Sequence, residues 1–241
     1  MLNRITLDEV DSTNNYLKQH RAGLPDGTLV TAGLQTAGKG RRGHDWLADR
    51  GMLPLSLLLK QAPHPDTVTL CAGVAVCEAL EQFLPGESLG IKWPNDIILR
   101  GHKLCGILCE SVCFGSSIDI VCGIGVNLTQ SAEFFERANI PHGGSVEMLT
   151  GVVIENREQL AQDIAERLYS YTRTGFDAIR EQYVSRCLTV GKRIRIIENG
   201  TEREAFAEGI APNGFLICSD GSGRFEVNSG EVSVRGLMDY I

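Results

Sequence analysis

Apolar positions along this chain follow a helical period and a strand period in turn, and the switches between them mark its elements. Asp11-Ser12-Thr13-Asn14 offers several capping side chains ahead of a short helix over residues 15–20. Apolar runs at 29–34 and 53–59 predict strands. Pro54 sets the second at the start or the edge of a sheet, because proline cannot donate to a ladder. Asp66 can cap a helix reaching Phe83, with Val68, Cys71, Ala75, Ala79 and Phe83 on one apolar face. Residues 97–99, 104–112 and 118–126 predict three more strands. Arg100-Gly101-His102 and Phe114-Gly115-Ser116 separate them, and the last two form a hairpin. Asn156 with Gln159 fits a capping box, followed by Leu160, Ile164, Leu168 and Tyr171 at helical spacing. A further helix is expected over 176–187.

From Val190 the period falls to two. Ile194 and Ile196, Ala205 and Phe206, Leu216 and Cys218, Phe225 and Val227, and Val232 and Val234 sit in short runs, punctuated by Asn199-Gly200, Asn213-Gly214 and Ser219-Asp220-Gly221. Asn-Gly between apolar runs is a hairpin signal. About five short strands in ~45 residues predict a small barrel. The expected architecture is therefore α/β (α+β): a mixed sheet flanked by helices over 1–189, and a compact β unit over 190–241.

Composition narrows this picture. A chain of 241 residues has room for one large domain and a small one. With 43% hydrophobic and 22% charged residues it is a soluble globular chain, not a disordered, collagenous or coiled-coil one. A net charge of −7 excludes a protein that coats nucleic acid over a broad face. No run approaches the ~20 apolar residues of a membrane span, and residues 1–10 lack signal-peptide character, so a cytoplasmic location is expected. None of the 8 Cys forms a CxxC pair. Cys105, Cys109 and Cys113 would share one strand face; with His102 they could make a metal site, but reduced core cysteines are the better reading, and no structural metal is expected.

Four segments carry candidate chemistry. Residues 35–46 place Gly38, Gly40 and Gly43 among Lys39, Arg41 and Arg42. The GxGxxG match is weak, because residues 44–51 are too short and polar for the helix of a dinucleotide fold. A P-loop fails as well, since His44-Asp45 stands where Lys-Ser/Thr is needed. A flexible loop that brings cations to phosphate remains, with Trp46 able to cover a flat group; the plainer alternative is a solvated basic loop. In Lys92-Trp93-Pro94-Asn95-Asp96, proline holds Trp93 extended, Asn95 can recognise an amide edge, and Asp96 can hold a metal or orient a cation. Alone it reads as a turn. Lys103 leads the apolar stretch 104–108 and offers a point charge for phosphate or carboxylate. Gly123-Ile124-Gly125-Val126-Asn127 could admit a ligand or form a tight turn.

With Ser12-Thr13-Asn14, these segments in this order resemble the bacterial-type biotin protein ligases across the whole chain. Ser229-Gly230-Glu231-Val232-Ser233 resembles that family's C-terminal ending. The resemblance implies a class II synthetase-like mixed sheet with an SH3-like C-terminal barrel. It implies a ligase that uses ATP and Mg²⁺ to make biotinyl-5′-AMP and passes biotin to a lysine of a biotin carboxyl carrier protein. That carrier would belong to acetyl-CoA carboxylase or another biotin-dependent carboxylase. Ser12, Thr13, Asn14, Gln35, Gly38, Lys39, Gly40 and Gly106 would then meet biotin. Lys103 and Arg41 would be catalytic and touch both substrates. Arg42, Trp46, Lys92, Asn95 and Asn127 would hold ATP or the adenylate, and Asp96 the Mg²⁺. The family also implies a monomer or a homodimer.

The chemistry is consistent with these residue types. A carboxylate attacking a phosphate needs positioning and positive charge more than a protein nucleophile. Lys39 stands where many members carry Arg, and Met52 where Asn is frequent, with Pro54 just beyond. Only about ten residues precede Ser12, so no winged helix-turn-helix and no DNA-binding repressor role are expected. The competing readings are a lipoate or octanoate transferase of related fold, whose members lack the double-Arg loop, and a non-enzymatic sensor of biotinyl-AMP.

Overall fold

The structure is a computed structural model and describes residues 2–114, 117–198, 201–228 and 233–236. Among them are β1 (Asn3–Val10), α1 (Thr13–His20), β2 (Thr28–Gln35), β3 (Met52–Leu59), α2 (Val68–Phe83), β4 (Gly90–Lys92), β5 (Asp96–Leu99), β6 (His102–Phe114) and β7 (Ser117–Asn127). Then come α3 (Ala132–Arg137), α4 (Val146–Thr150), α5 (Arg157–Thr174), α6 (Arg180–Arg186), β8 (Arg193–Glu198), β9 (Thr201–Ile210), β10 (Leu216–Asp220), β11 (Gly223–Val227) and β12 (Ser233–Gly236).

The first seven strands form one sheet in the order β1-β2-β3-β7-β6-β5-β4. β1 and β2 run parallel through the α1 crossover, and every other pairing in this sheet is antiparallel. This is the expected mixed sheet. β3 is buried along its whole length because both of its faces are covered. Leu57 and Leu59 join the large core with α2 and α5, while Leu58 turns to the other face with Val30, Val121 and Leu17 of α1. Pro54 pairs only with Gly125 of β7, since pairing with β2 runs from Leu55 to Leu58. A central strand thus tolerates proline at its start.

Some local expectations are corrected. Asp66 caps nothing: it lies in a 3₁₀ turn over Pro65–Thr67, and Thr67 is the N-cap of α2 without a side-chain bond. Residues 176–187 are not one helix but a 3₁₀ turn, Phe176–Ile179, followed by α6. Of the three evenly spaced cysteines, Cys105 is in the core, Cys109 is half-buried and Cys113 is exposed. The Asn156 cap holds, accepting from the Gln159 N–H at 3.0 Å, but the Gln159 side chain turns to Asp163 instead of back to the cap.

The remaining strands form a five-stranded antiparallel sheet in the order β11-β10-β9-β8-β12. The Asn199-Gly200 turn and residues 229–232 lie outside the described residues. Trp93 joins the two sheets. It is buried; its backbone N–H donates to Thr189 Oγ1 at 3.0 Å and its indole N–H to the Gly214 carbonyl at 3.1 Å. The Leu188 N–H donates to the Ile91 carbonyl beside it at 2.8 Å. This seam brings β8 to the edge of the large sheet's cleft. No helix among the described residues is long and apolar enough to cross a membrane.

Candidate functional site

A cleft of about 1100 Å³ opens between the α1 start, the 39–47 loop, the 92–96 turn, β6, β7, the 139–143 segment and β8. It takes in every residue that the resemblance assigns to biotin, ATP or Mg²⁺ except Gly38, which is buried. A Cβ at Gly38 would meet the Trp46 carbonyl oxygen at 2.5 Å.

The α1 start is built for the cleft more than for the helix. Ser12 is the N-cap but makes no side-chain cap bond. The Thr13 N–H and hydroxyl both donate to Gln35 Oε1, at 2.8 and 2.9 Å. Ser56 Oγ donates to Asn14 Oδ1 at 2.6 Å and lies 2.7 Å from Thr13 Oγ1. Asn14 Nδ2 donates to Glu110 Oε2 at 2.8 Å, and Lys18 pairs with Glu110 Oε1 at 2.7 Å. Burial alone would raise the Glu110 carboxyl, but the hydrogen bonds from Lys18 and Asn14, with the Lys18 charge, bring it below the ordinary glutamate value. Gly123 is in this layer too, where a side chain would collide with the Asn14 amide.

The glycine loop folds back on itself. Gly40 N–H donates to the His44 carbonyl at 2.7 Å and Trp46 N–H to the Gly38 carbonyl at 3.0 Å. Arg42 adopts φ 57° within the tight turn. The Trp46 indole then rests on a floor without side chains. Gly106 and Gly125 are cross-strand partners, and a Cβ on either would come within 2.7 Å of the ring. Its N–H points to Met52 Sδ at 2.7 Å, which gives the Met52 departure a local role. Lys103 Nζ stands 5.1 Å from the ring centroid, within cation–π range.

Polar groups converge beside this floor. Lys103 pairs with Asp96 Oδ1 at 2.7 Å, and Asn95 Nδ2 donates to the same oxygen at 3.0 Å. Arg41 donates to Asn95 Oδ1 at 2.9 Å. Burial lowers the pKa of the Arg41 guanidinium, and the Asp96 charge pulls it back up. Lys92 is buried at the same turn. The Lys103 backbone is clamped by a segment the sequence did not reveal: its N–H donates to the His142 carbonyl at 2.6 Å, and its carbonyl accepts from Gly144 N–H at 3.1 Å. Asn127 Nδ2 donates to the Gly144 carbonyl at 3.1 Å and its Oδ1 accepts from Gln130 at 3.2 Å, so its amide secures this clamp.

Asp96 Oδ1 accepts from both Lys103 and Asn95, and no group of three or more His, Cys, Asp or Glu side chains that could hold an ion occurs among the described residues. Nor is Cys105 a nucleophile, because burial drives its thiol well above its ordinary pKa. The cleft can instead bind an anion along several cations and pack a flat group against Trp46, the glycine floor, or the apolar wall of Phe134, Phe135 and Ile140.

Comparison with known proteins supplies the rest. A profile described as "Biotin/lipoate A/B protein ligase family" matches residues 7–127, and "Biotin protein ligase C terminal domain" matches 189–235. The chain is 33% identical to a Paracoccus denitrificans biotin–[acetyl-CoA-carboxylase] ligase, over 95% of this chain and 100% of the relative. It is 31% identical to the Mycobacterium tuberculosis ligase of the same name, over 86% of this chain and 79% of that protein. The Aquifex aeolicus biotin protein ligase solved with biotin and ATP superposes with a TM-score of 0.82 at 28% identity, covering 98% of this chain and 100% of that one.

Proposed function

The chain belongs to the biotin/lipoate A/B protein ligase family, and from that premise we infer that it is an ATP-dependent biotin protein ligase acting on the carrier of a biotin-dependent carboxylase. The observation that carries this reading is the meeting of Lys103, Arg41, Asn95 and Asp96 beside the Gly106–Gly125 floor, in a cleft whose loop can cover its contents.

Two steps follow from this arrangement. In the first, a biotin carboxylate oxygen bonds to the α-phosphorus of ATP and pyrophosphate leaves. Lys103 lies where it can bridge carboxylate and α-phosphate, and Arg41 offsets the charge that spreads over the phosphate oxygens. Asp96 and Asn95 aim these two cations and act as positioning residues. In the second, the carrier lysine amine attacks the mixed anhydride, losing a proton and releasing AMP. No protein nucleophile is needed. The 39–46 loop would shield the anhydride from water.

Ser12, Thr13, Asn14, Gln35, Gly38, Lys39, Gly40 and Gly106 are assigned to biotin. Gln35, Thr13 and Asn14 are held by mutual bonds over Ser56, so their directions are fixed before ligand arrives. Arg42, Trp46 and Lys92 are assigned to ATP and the adenylate. Asn127 is assigned an indirect part, holding the 142–144 clamp on Lys103. Mg²⁺ would come with the nucleotide phosphates, as that ion commonly does. We place the unit boundary at 189/190, the location in the cytoplasm, and the assembly as monomer or homodimer without a DNA-binding role.

The test is incubation of purified protein with biotin, MgATP and a biotin carboxyl carrier domain, read by intact mass. A gain of a single biotin on the carrier with AMP release is expected. Octanoyl or lipoyl transfer without any response to biotin would favour the related transferases, and tight biotinyl-AMP binding without carrier labelling would favour a sensor.

A further inference from the structure

We propose that Arg195 of the C-terminal sheet binds the β- and γ-phosphates of ATP, so that the nucleotide site is completed only when that sheet is docked. The proposal rests on the ligase reading for its substrate and goes beyond it in assigning a residue outside the catalytic sheet.

β8 alternates cleanly. Ile194 and Ile196 are buried in the core, while Arg195 and Ile197 share the opposite face and line the cleft. Among the described residues they are the only ones beyond position 189 that do so. Trp93 fixes this approach through its bonds to Thr189 and Gly214.

The Arg195 guanidinium is under-used as it stands. Among the described residues its buried Nε makes no hydrogen bond, and its one ion pair is a 3.4 Å contact with the exposed Glu202. Such an exposed pair holds an arginine weakly. Arg186 shows the contrast: its Nε is also unpaired, but it grips both oxygens of Glu81, at 2.7 and 2.9 Å. A buried donor without an acceptor is costly, and a planar guanidinium suits the paired oxygens of a phosphate.

The first-step chemistry selects the ligand. Lys103 and Arg41 are joined through Asp96 and Asn95 beside the glycine floor, where a carboxylate and the α-phosphate would meet. Two further phosphates must extend away from that point. As the bond from α-phosphorus to the bridging oxygen breaks, that oxygen keeps the electron pair and the departing pyrophosphate gains charge. Arg195, lining the same cleft from β8, is a cation that could hold it. Biotinyl-AMP lacks both of those phosphates, so the second step should not require Arg195.

The experiment uses the full chain and compares ATP with AMP. Equilibrium binding of each is measured for wild type, Arg195→Gln and Arg195→Lys, together with single-turnover transfer from preformed biotinyl-AMP to the carrier. Arg195→Gln should weaken ATP about tenfold or more, the size of one charge-assisted hydrogen bond, and leave AMP unchanged. Arg195→Lys should recover part of the loss, and transfer from biotinyl-AMP should proceed at the wild-type rate. Equal ATP affinity in Arg195→Gln and wild type would overturn the proposal. An equal loss for AMP and ATP would overturn it in favour of a structural role. Slower transfer with ATP affinity intact would overturn it in favour of a carrier contact. A wild-type protein that binds ATP yet makes no biotinyl-AMP would refute the ligase reading, while the ATP-to-AMP comparison would still decide Arg195.

Discussion

Gly125 and Ser56 show how single atoms shape this cleft. Gly125 faces Gly106 across the ladder, and the indole of Trp46 fills the space their missing side chains leave. A methyl group there would stand 2.7 Å from a rigid ring. Gly125→Ala should therefore displace Trp46 and red-shift its emission. Trp93, the other tryptophan, is buried and gives a constant background. Unchanged emission would contradict the seat. Ser56 sits alone in the apolar run of β3, and its hydroxyl donates to the buried Asn14 carbonyl oxygen. Ser56→Ala should cost about 1–3 kcal/mol, the usual penalty for a buried acceptor stripped of its donor, measured by urea unfolding. Biotin should also bind more weakly, because Asn14 loses its anchor.

Among the elements, α1 and β6 are joined through charge. Glu110 on β6 takes Lys18 and Asn14 of α1, and its carboxyl lies below the ordinary value. A depressed carboxyl pKa stabilises the fold fully above the unfolded value of about 4.3, and that contribution drains away as pH falls through the folded value. Denaturant titrations between pH 7 and pH 3 should show this acid-side loss in wild type and a smaller one in Glu110→Gln. Equal loss in both would contradict the linkage.

This scale also explains what could be read in advance. Strands with a sustained pattern, such as β3, β6 and β7, and the capped, striped α5 declare themselves. β1 does not, because as an edge strand it buries little and its sequence is mostly polar. β4 has three residues, too few for a period, and α3 and α4 are equally brief. The capping signal at 11–14 misleads in an instructive way, since Thr13 and Asn14 are polar to serve the cleft and not the helix end. Residues from the Ser12–Asn14, 35–46, 92–96, 103–108 and 123–127 motifs do meet in one cleft. The 139–144 clamp and Arg195 carry no local signature, because they reach the cleft only by tertiary docking.

At the scale of the molecule, a buried tryptophan lies in the seam between the two sheets. Trp93→Phe keeps the bulk but leaves the buried Gly214 carbonyl without the indole N–H. A loss of about 1–3 kcal/mol is expected in urea unfolding. If docking of the C-terminal sheet completes the nucleotide site, ATP affinity should fall further than biotin affinity; an equal fall in both would contradict that coupling. Assembly of charge from separate segments suits a reaction in which two anions must meet, since Asp96 holds Lys103 and Asn95 holds Arg41 before substrate binds.

The most direct measurement of the central claim is the rate of biotinyl-AMP formation from labelled ATP by wild type and Lys103→Ala, with secondary structure checked in both. The account predicts a loss on the order of 10²-fold or more in Lys103→Ala, because the cation oriented by Asp96 toward the reacting carboxylate and phosphate is gone. A near wild-type rate in the folded variant would contradict it.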